Sequence, residues 1–447
     1  MVQSQHAVLD LDFLIQLGQV HRSLYTDPEV FALEMKRVFG VTWVYLAHES
    51  EFPQPGCFLR RRLGTRPILL TRERDGQVYG LFNRCTHRGT LLVTQDKGSA
   101  KHLSCPYHGW CFALDGRLKN LPVAQSYANP DKPTFNLGQL QVESYRGFVF
   151  GTLAAEPLPL TEWLGAARPW LDEHLDRHPG GQIRVLDSPI HLEFKGNWKL
   201  LWDNAADGIH ATFAHRSYNL LGHQAETETV LARNPAKTPM VSRTLGHGHC
   251  VVDQRPGLPD GPWATMRQLP TREALERSLC ARGEAYAELL NLATGNMVNL
   301  SLFPNLILVG NQLMVVEPLA VDRTRISLYL AVAEGVPQEI NLLRLRVDED
   351  FVSFGTPDDL AIFERIQEGL EIPEEEWLDI SRGHQAGDQL DPWGNIVGSI
   401  ATEAPIRAYW QEWKRLMREP IPLRVRRASE QRPANLTSPQ QKAADFT

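Results

Sequence analysis

The residues of this chain best suited to metal chemistry are concentrated in a few short stretches. One is Trp202-Asp203-Asn204-Ala205-Ala206-Asp207-Gly208-Ile209-His210-Ala211-Thr212-Phe213-Ala214-His215, with two histidines and a nearby carboxylate. Such a donor set suits an iron ion that keeps open positions. On a regular helix Asp207 and His210 share a face, whereas His210 and His215, five apart, point roughly 140° away from each other. One metal takes both only if the helix bends or widens, so we expect a π-type turn or kink between them. The plain alternative is an amphipathic helix with half-buried histidines.

A second constellation weighs against that alternative. Cys85-Thr86-His87-Arg88-Gly89 is followed by Cys105-Pro106-Tyr107-His108-Gly109-Trp110, so each of two loops offers one Cys and one His. Two such loops can clamp one centre from opposite sides. A closed tetrahedral zinc site is one reading. Common zinc fingers, however, pair Cys with Cys and His with His. Mixing the two in each loop suits a 2Fe-2S cluster with two Cys on one iron and two His on the other, the Rieske arrangement.

The chain that positions these residues has 447 of them, 43% hydrophobic, enough for two or three domains. A formal net charge of -7 argues against a nucleic-acid surface. No basic segment followed by an apolar run opens the sequence, and the most apolar region, Leu300 to Leu319, is broken by Pro304, Asn305, Asn311, Gln312 and Glu317. We therefore expect a soluble cytoplasmic protein with no export signal and no membrane span. Six cysteines make no disulfide framework, and Cys57, Cys111, Cys250 and Cys280 read as ordinary buried thiols.

Apolar spacing predicts a helix from Asp27 to Phe39, opened by Asp27-Pro28. Strand-like runs follow at Thr42 to Ala47, Cys57 to Arg61, Pro67 to Thr71 and Gln77 to Phe82, with Asp75-Gly76 as a hairpin turn and Ser144 to Leu153 as the closing strand. The prolines of Glu156 to Leu160 mark a boundary. Beyond it, helical spacing at Thr161 to His178 and Thr271 to Leu292 alternates with strand patterns at Gln182 to Phe194, Asn299 to Phe303, Leu306 to Val309, Leu313 to Glu317 and Arg325 to Val332. The expected architecture is α+β: a small all-β domain before a larger domain with an antiparallel sheet flanked by helices. We place a helical segment packing on the larger domain at 1–40, the β domain at 41–155, the catalytic domain at 156–424 and a disordered tail at 425–447. A last helix, Pro405 to Arg418, carries the aromatic stripe Tyr409, Trp410 and Trp413.

Thr356-Pro357-Asp358-Asp359 is open to two readings. It makes a good helix start, with Thr356 capping, Pro357 in the first turn and Asp359 closing a capping box. It also offers a carboxylate for the iron.

Taken together, Cys85-x-His87, Cys105-x2-His108, Asn197-Trp198-Lys199 and Asp203-Asn204-x2-Asp207-x2-His210-x4-His215 resemble the large (α) subunit of Rieske non-haem iron aromatic-ring-hydroxylating oxygenases, from about Thr26 to Arg418. Thr26-Asp27-Pro28-Glu29, Tyr45 to Ser50, Ala206 to His210 and Thr356 to Asp359 are most similar to the benzoate, toluate and anthranilate dioxygenase group. Asp203 stands where the family often has Glu, and Ile209 where it often has Tyr.

The resemblance implies a 2Fe-2S cluster on Cys85, His87, Cys105 and His108, and a mononuclear Fe(II) on His210, His215 and Asp359, with Asp358 as the alternative third ligand. It further implies that Asp207 links His210 to the cluster ligand His108 of a neighbouring subunit, in an α trimer or an α3β3 assembly with a small β subunit. The implied partners are a small aromatic substrate, O2 and a separate reductase, with or without a ferredoxin; no Gly-rich dinucleotide turn is present for NAD(P)H itself. The expected activity is cis-dihydroxylation of a benzoate-like acid. The alternatives are a monooxygenase or O-demethylase, and a Rieske electron carrier without oxygenase activity.

Overall fold

The computed structural model describes residues 9–129, 131–216, 239–257, 263, 272–283, 286–384, 389–418 and 420–428. The chain divides into two compact units: Phe52–Arg61, Pro67–Val142 and Arg424–Thr447 in the smaller, and Met1–Glu51, Arg62–Arg66 and Glu143–Leu423 in the larger.

The smaller unit is built from antiparallel pairs. The expected hairpin is present: Ile68 to Arg72 pair with Phe82 to Val78 across a turn where Gly76 takes φ +82° and the Gln77 N–H bonds Asp75 Oδ1 at 2.9 Å. A positive φ there is cheap only for Gly, which is why Asp-Gly marks such turns. A second sheet joins Leu103–Ser104, Cys111–Phe112 and Leu118–Asn120. Between them sits a core of Phe58, Leu69, Leu81, Leu103, Trp110, Phe112 and Leu137, and Cys85 and Cys105 are buried in it.

Two boundaries differ from expectation. Val44–His48 and Phe148–Thr152, assigned above to the β domain, pair with each other in the larger unit. All ten residues are buried, and Tyr45, Phe148 and Phe150 share a core with Leu300, Leu302 and Leu313. A strand buried on both faces goes where apolar partners are most numerous, which turn signals do not disclose. The expected tail from 425 also needs correction at its start, since Arg426–Arg427 form a short strand on Gly138 and Gln139. Residues 429–447 lie outside the described residues.

In the larger unit the described residues form a nine-stranded antiparallel sheet, ordered Ile190–Phe194, Arg323–Tyr329, Gln312–Ala320, Leu306–Val309, Val298–Leu302, Cys250–Asp253, Val241–Thr244, Ile396–Ser399 and Gln389–Leu390. The Gln182 to Phe194 run is two strands, Ile183–Val185 and Ile190–Phe194, in different sheets. The helix expected from Thr271 is seen as Arg272–Ala281 and Tyr286–Thr294; Thr271 lies outside the described residues. No helix of the described residues is long and apolar enough to cross a membrane. Of the four cysteines expected to be buried thiols, Cys250 is buried, whereas Cys280 is exposed and Cys57 and Cys111 are half-buried.

Helices Pro28–Arg37, Trp198–Ala205 and Ala404–Arg418 meet at one buried carboxylate. Glu34 accepts from Trp198 Nε1 at 2.9 Å, Trp413 Nε1 at 2.8 Å and Lys199 Nζ at 2.6 Å. Three donors, one of them charged, satisfy a carboxylate that would otherwise be costly to bury. The helix leading into the His210 segment is thereby held at its first turn.

Candidate metal centres

In the smaller unit the two Cys/His loops share one backbone scheme. Cys85 N–H donates to Thr90 O at 2.8 Å and Gly89 N–H to Cys85 O at 3.0 Å; Cys105 N–H donates to Trp110 O at 2.7 Å and Gly109 N–H to Cys105 O at 3.1 Å. Gly89 and Gly109 take φ of +84° and +69°, the left-handed conformation that closes each turn. Each loop therefore carries its cysteine at the root and its histidine at the tip.

The tips meet. The His87 and His108 rings lie 4.6 Å apart, and Trp110 stacks on His87 at 4.9 Å and 7°. Both Nδ1 atoms are shielded from solvent and without a hydrogen-bond partner among the described residues. Burial pushes the Cys85 thiol up and the His87 imidazole down. Two buried cysteines beside two imidazoles with unpartnered nitrogens are the donor set a cluster with mixed ligation requires.

In the larger unit the chain breaks before His210. Helix Trp198–Ala205 ends, Asp207 and Gly208 turn, and a short helix runs His210–Ala214. Asp207 Oδ1 holds the turn by accepting from Ile209 N–H at 2.9 Å and Arg382 Nη2 at 2.9 Å. Gly208 is required for space: a Cβ there would lie 2.4 Å from Ile400 Cβ and 2.8 Å from its carbonyl oxygen. Asp207 is thus not on a helical face with His210, and no π-type turn separates the histidines. Instead His215 is the residue on which the short helix ends, with ψ 29°, and the two rings stand 5.5 Å apart at 74°.

The wide turn occurs elsewhere. Gln338–Asp350 is α-helical, Phe351–Gly355 is π-helical and Thr356–Gly369 is α-helical, with helical dihedrals at each junction. The capping reading of Thr356 therefore fails. No helix starts there, and Thr356 Oγ1 is buried without a partner among the described residues. Pro357 supplies the signal without the start, since its missing N–H and its ring are accommodated by the widened turn before it.

This run brings Asp359 to the histidines. Its Oδ1 is 3.4 Å from His215 Nε2 and 3.8 Å from His210 Nε2, whereas Asp358 Oδ2 lies 3.7 Å from Nδ1 of His215, on the other side of that ring's nitrogen pair. One ligand atom from each of His210, His215 and Asp359 lies within 4.8 Å of the others. Burial pushes the Asp359 carboxyl up to about 7, against the pull of Asn204 Nδ2 at 3.1 Å. Burial also lowers His210, and takes His215 to about 4, so both rings are neutral near pH 7. His210 Nδ1 bonds the carbonyl of Asp207 at 2.9 Å, leaving Nε2 turned toward Asp359. The outer partner of this ring is thus a backbone oxygen and not the Asp207 carboxylate. Metal-binding histidines are commonly oriented by such a bond.

Asn204, Gly208, Phe351 and Arg382 escape a reading of the sequence, since nothing in their local pattern ties them to positions a hundred or more residues away. Asp203, which stands where the family often has Glu, is no ligand. It accepts from Tyr25 Oη at 2.7 Å and from Tyr409 Oη, and burial holds it up at about 6.

A small β unit with paired Cys/His loops and a sheet-and-helix unit with a two-His, one-carboxylate triad define a two-centre iron protein. Comparison with known proteins agrees. Residues 42–145 match the Rieske [2Fe-2S] domain and residues 185–419 the ring hydroxylating alpha subunit catalytic domain. The chain is 32% identical over 388 residues to the anthranilate 1,2-dioxygenase large subunit of Acinetobacter baylyi, covering 82% of this chain and 80% of that one. It is likewise 32% identical over 389 residues to the toluate 1,2-dioxygenase α subunit of Pseudomonas putida, covering 83% and 84%. Its fold matches a solved naphthalene 1,2-dioxygenase with indole bound, at a TM-score of 0.77 and 22% identity over 91% of this chain and 94% of that one.

The chain belongs to the Rieske ring-hydroxylating oxygenase family as an α subunit. It is an oxidoreductase of the ring-hydroxylating dioxygenase type, and its cofactors are a Rieske 2Fe-2S cluster and a mononuclear iron. The zinc and simple-carrier alternatives fall with that assignment. Members of the family work with a separate reductase or ferredoxin and assemble as α3 or α3β3 oligomers.

Proposed function

We propose that this α subunit cis-dihydroxylates the ring of a benzoate-like aromatic acid, in the cytoplasm, with electrons from NAD(P)H delivered by a separate reductase. Cys85, His87, Cys105 and His108 hold the cluster; His210, His215 and Asp359 hold the iron. When bound, the two centres supply stored electrons and O2 activation, which protein side chains cannot provide. The observation that carries this reading is the approach of Asp359 Oδ1 to the Nε2 atoms of both histidines.

The chain's own residues prepare the site. The Asp207 carbonyl fixes the His210 tautomer with Nε2 free, and Asn204 orients Asp359. Asp207 Oδ2 has no hydrogen-bond partner among the described residues, so it is the atom to receive a ring N–H from His108 of a neighbouring copy. Arg382 Nη2 holds that carboxylate in place through its bond to Oδ1. The relatives at about 30% identity that act on aromatic acids support the substrate class.

Product analysis under ¹⁸O2, with a panel of aromatic acids and a suitable reductase, tests the reading. Two labelled oxygens in a dihydrodiol are expected; one labelled oxygen means a monooxygenase or O-demethylase.

A further inference from the structure

The two compact units carry opposite charge. By sequence the smaller holds 16 Lys and Arg against 7 Asp and Glu, and the larger 30 against 46. Each excess is found beside one end of the proposed electron path.

In the smaller unit the basic residues gather at the cluster loops. From Arg84 to Trp110 the one acid is Asp96, which pairs with Arg60, against Arg84, Arg88, Lys97 and Lys101. Arg88 acts electrostatically on His87 and lies 5.6 Å over the Tyr107 ring, joining the two loops. A Cβ on Gly89 would be 3.4 Å from Arg84 Nε, so that guanidinium lies against the first loop. Arg84 and Arg88 are exposed and have no acidic partner among the described residues. Tyr107, 59% exposed, and Leu91 add apolar surface to this tip.

Around Asp207 the larger unit has the opposite character. Arg382 Nη2 lies 2.9 Å from Asp207 Oδ1 and 3.4 Å from Glu403 Oε1. Burial lifts the Glu403 carboxyl, Arg382 pulls it back, and Asp207 and Asp379 lift it further, so these acids lie close together. Asp379 ends a run of exposed acids, Glu368, Glu371, Glu374, Glu375, Glu376 and Asp379, with no Lys or Arg among them. Arg365 precedes the run, Arg22 donates to Leu370 O at 2.8 Å, and Arg382 follows. With Asp207 and Glu403, eight acids stand beside three arginines. Ile366 and Ile372 are exposed in the same segment.

We propose that this acidic border of Asp207 is the docking surface for the cluster tip of a second copy of this chain, with Arg84 and Arg88 of one copy set among the carboxylates of the next and Tyr107 adding apolar contact. This rests on the link from Asp207 to a neighbouring His108 proposed above, and supplies what selects and orients the neighbour. Each chain carries both the basic tip and the acidic border, so a head-to-tail contact uses one of each and repeats around a closed ring. Opposite charges steer the approach and fix its register.

The test is sedimentation of the metal-loaded protein in about 0.1 M salt, where charges are felt over about 10 Å. Beside it, re-oxidation of the chemically reduced cluster is followed with O2 and benzoate and no donor protein. Wild type sediments as an oligomer. Arg84→Glu with Arg88→Glu weakens association and slows re-oxidation about tenfold or more, and Glu371→Lys with Glu374→Lys and Glu375→Lys does the same from the other side. The variant with all five changes recovers most of both, because the contact is rebuilt with its signs exchanged; damage to either unit would add up instead. The visible spectrum shows that each variant holds its cluster. If the tip reversal loses it, Arg84→Gln with Arg88→Gln and the acidic-side variant carry the test.

A monomeric wild type overturns the surface, as do unchanged association and re-oxidation in both reversed variants, or a combined variant worse than either. Slower reduction by the donor protein, with association and re-oxidation untouched, assigns the basic tip to the donor and overturns it as well. Charge-dependent association in a protein that forms no dihydrodiol keeps the surface and removes the proposed function; dihydrodiol formed at wild-type rates by both reversed variants does the reverse.

Discussion

The two metal-binding regions are assembled on different principles. The cluster loops are local: each is a tight turn closed by its own backbone bonds and a positive-φ glycine, and the two lie within 24 residues, from Cys85 to His108. The iron triad is non-local. Asp359 reaches the histidines from 144 residues downstream of His215, aimed by a π-type turn and held by Asn204. The cluster histidines also present unpartnered nitrogens, whereas His210 is already tied to the Asp207 carbonyl. A local site can be emptied or refilled with its loops intact. A non-local one depends on the packing of three separate segments.

The comparison can be sharpened by variants ranked by expected effect. Asp207→Asn removes the charge that Arg382 holds and the acceptor offered to a neighbouring His108. Both metals should remain by metal analysis while turnover falls roughly ten- to a hundredfold, the usual size for loss of an outer-shell partner. Near-normal turnover would count against any link through Asp207. Thr356→Val should change stability little or raise it slightly in urea unfolding, because its hydroxyl is buried without a partner among the described residues. Had Thr356 been a cap, the change would cost about 1 kcal/mol.

These differences also explain what could be read from the sequence. The Cys/His loops were legible because their geometry is written within five or six residues, and the Asp75-Gly76 hairpin and the Asp27-Pro28 helix start for the same reason. The two iron histidines were legible as residues, but not the backbone that presents them. A break at Asp207-Gly208 replaces the expected distortion between them, and it follows from contact with Ile400, almost two hundred residues away. Thr356 to Asp359 carried a helix-start signal that the widened turn overrides. Strands Val44–His48 and Phe148–Thr152 went to the larger core because burial on both faces decides placement, and turn residues say nothing of that. Arg84 and Arg88 could not be singled out among the arginines, since only the fold shows which are exposed without an acidic partner among the described residues.

The most direct measurement is iron and acid-labile sulfide per chain in wild type and in Asp359→Ala, beside the visible spectrum. If the centres are built independently, wild type carries three irons and two sulfides, and the variant keeps two of each with its cluster absorption unchanged but no oxygenase activity. Three irons retained in the variant, or a cluster lost along with the third iron, would contradict that account.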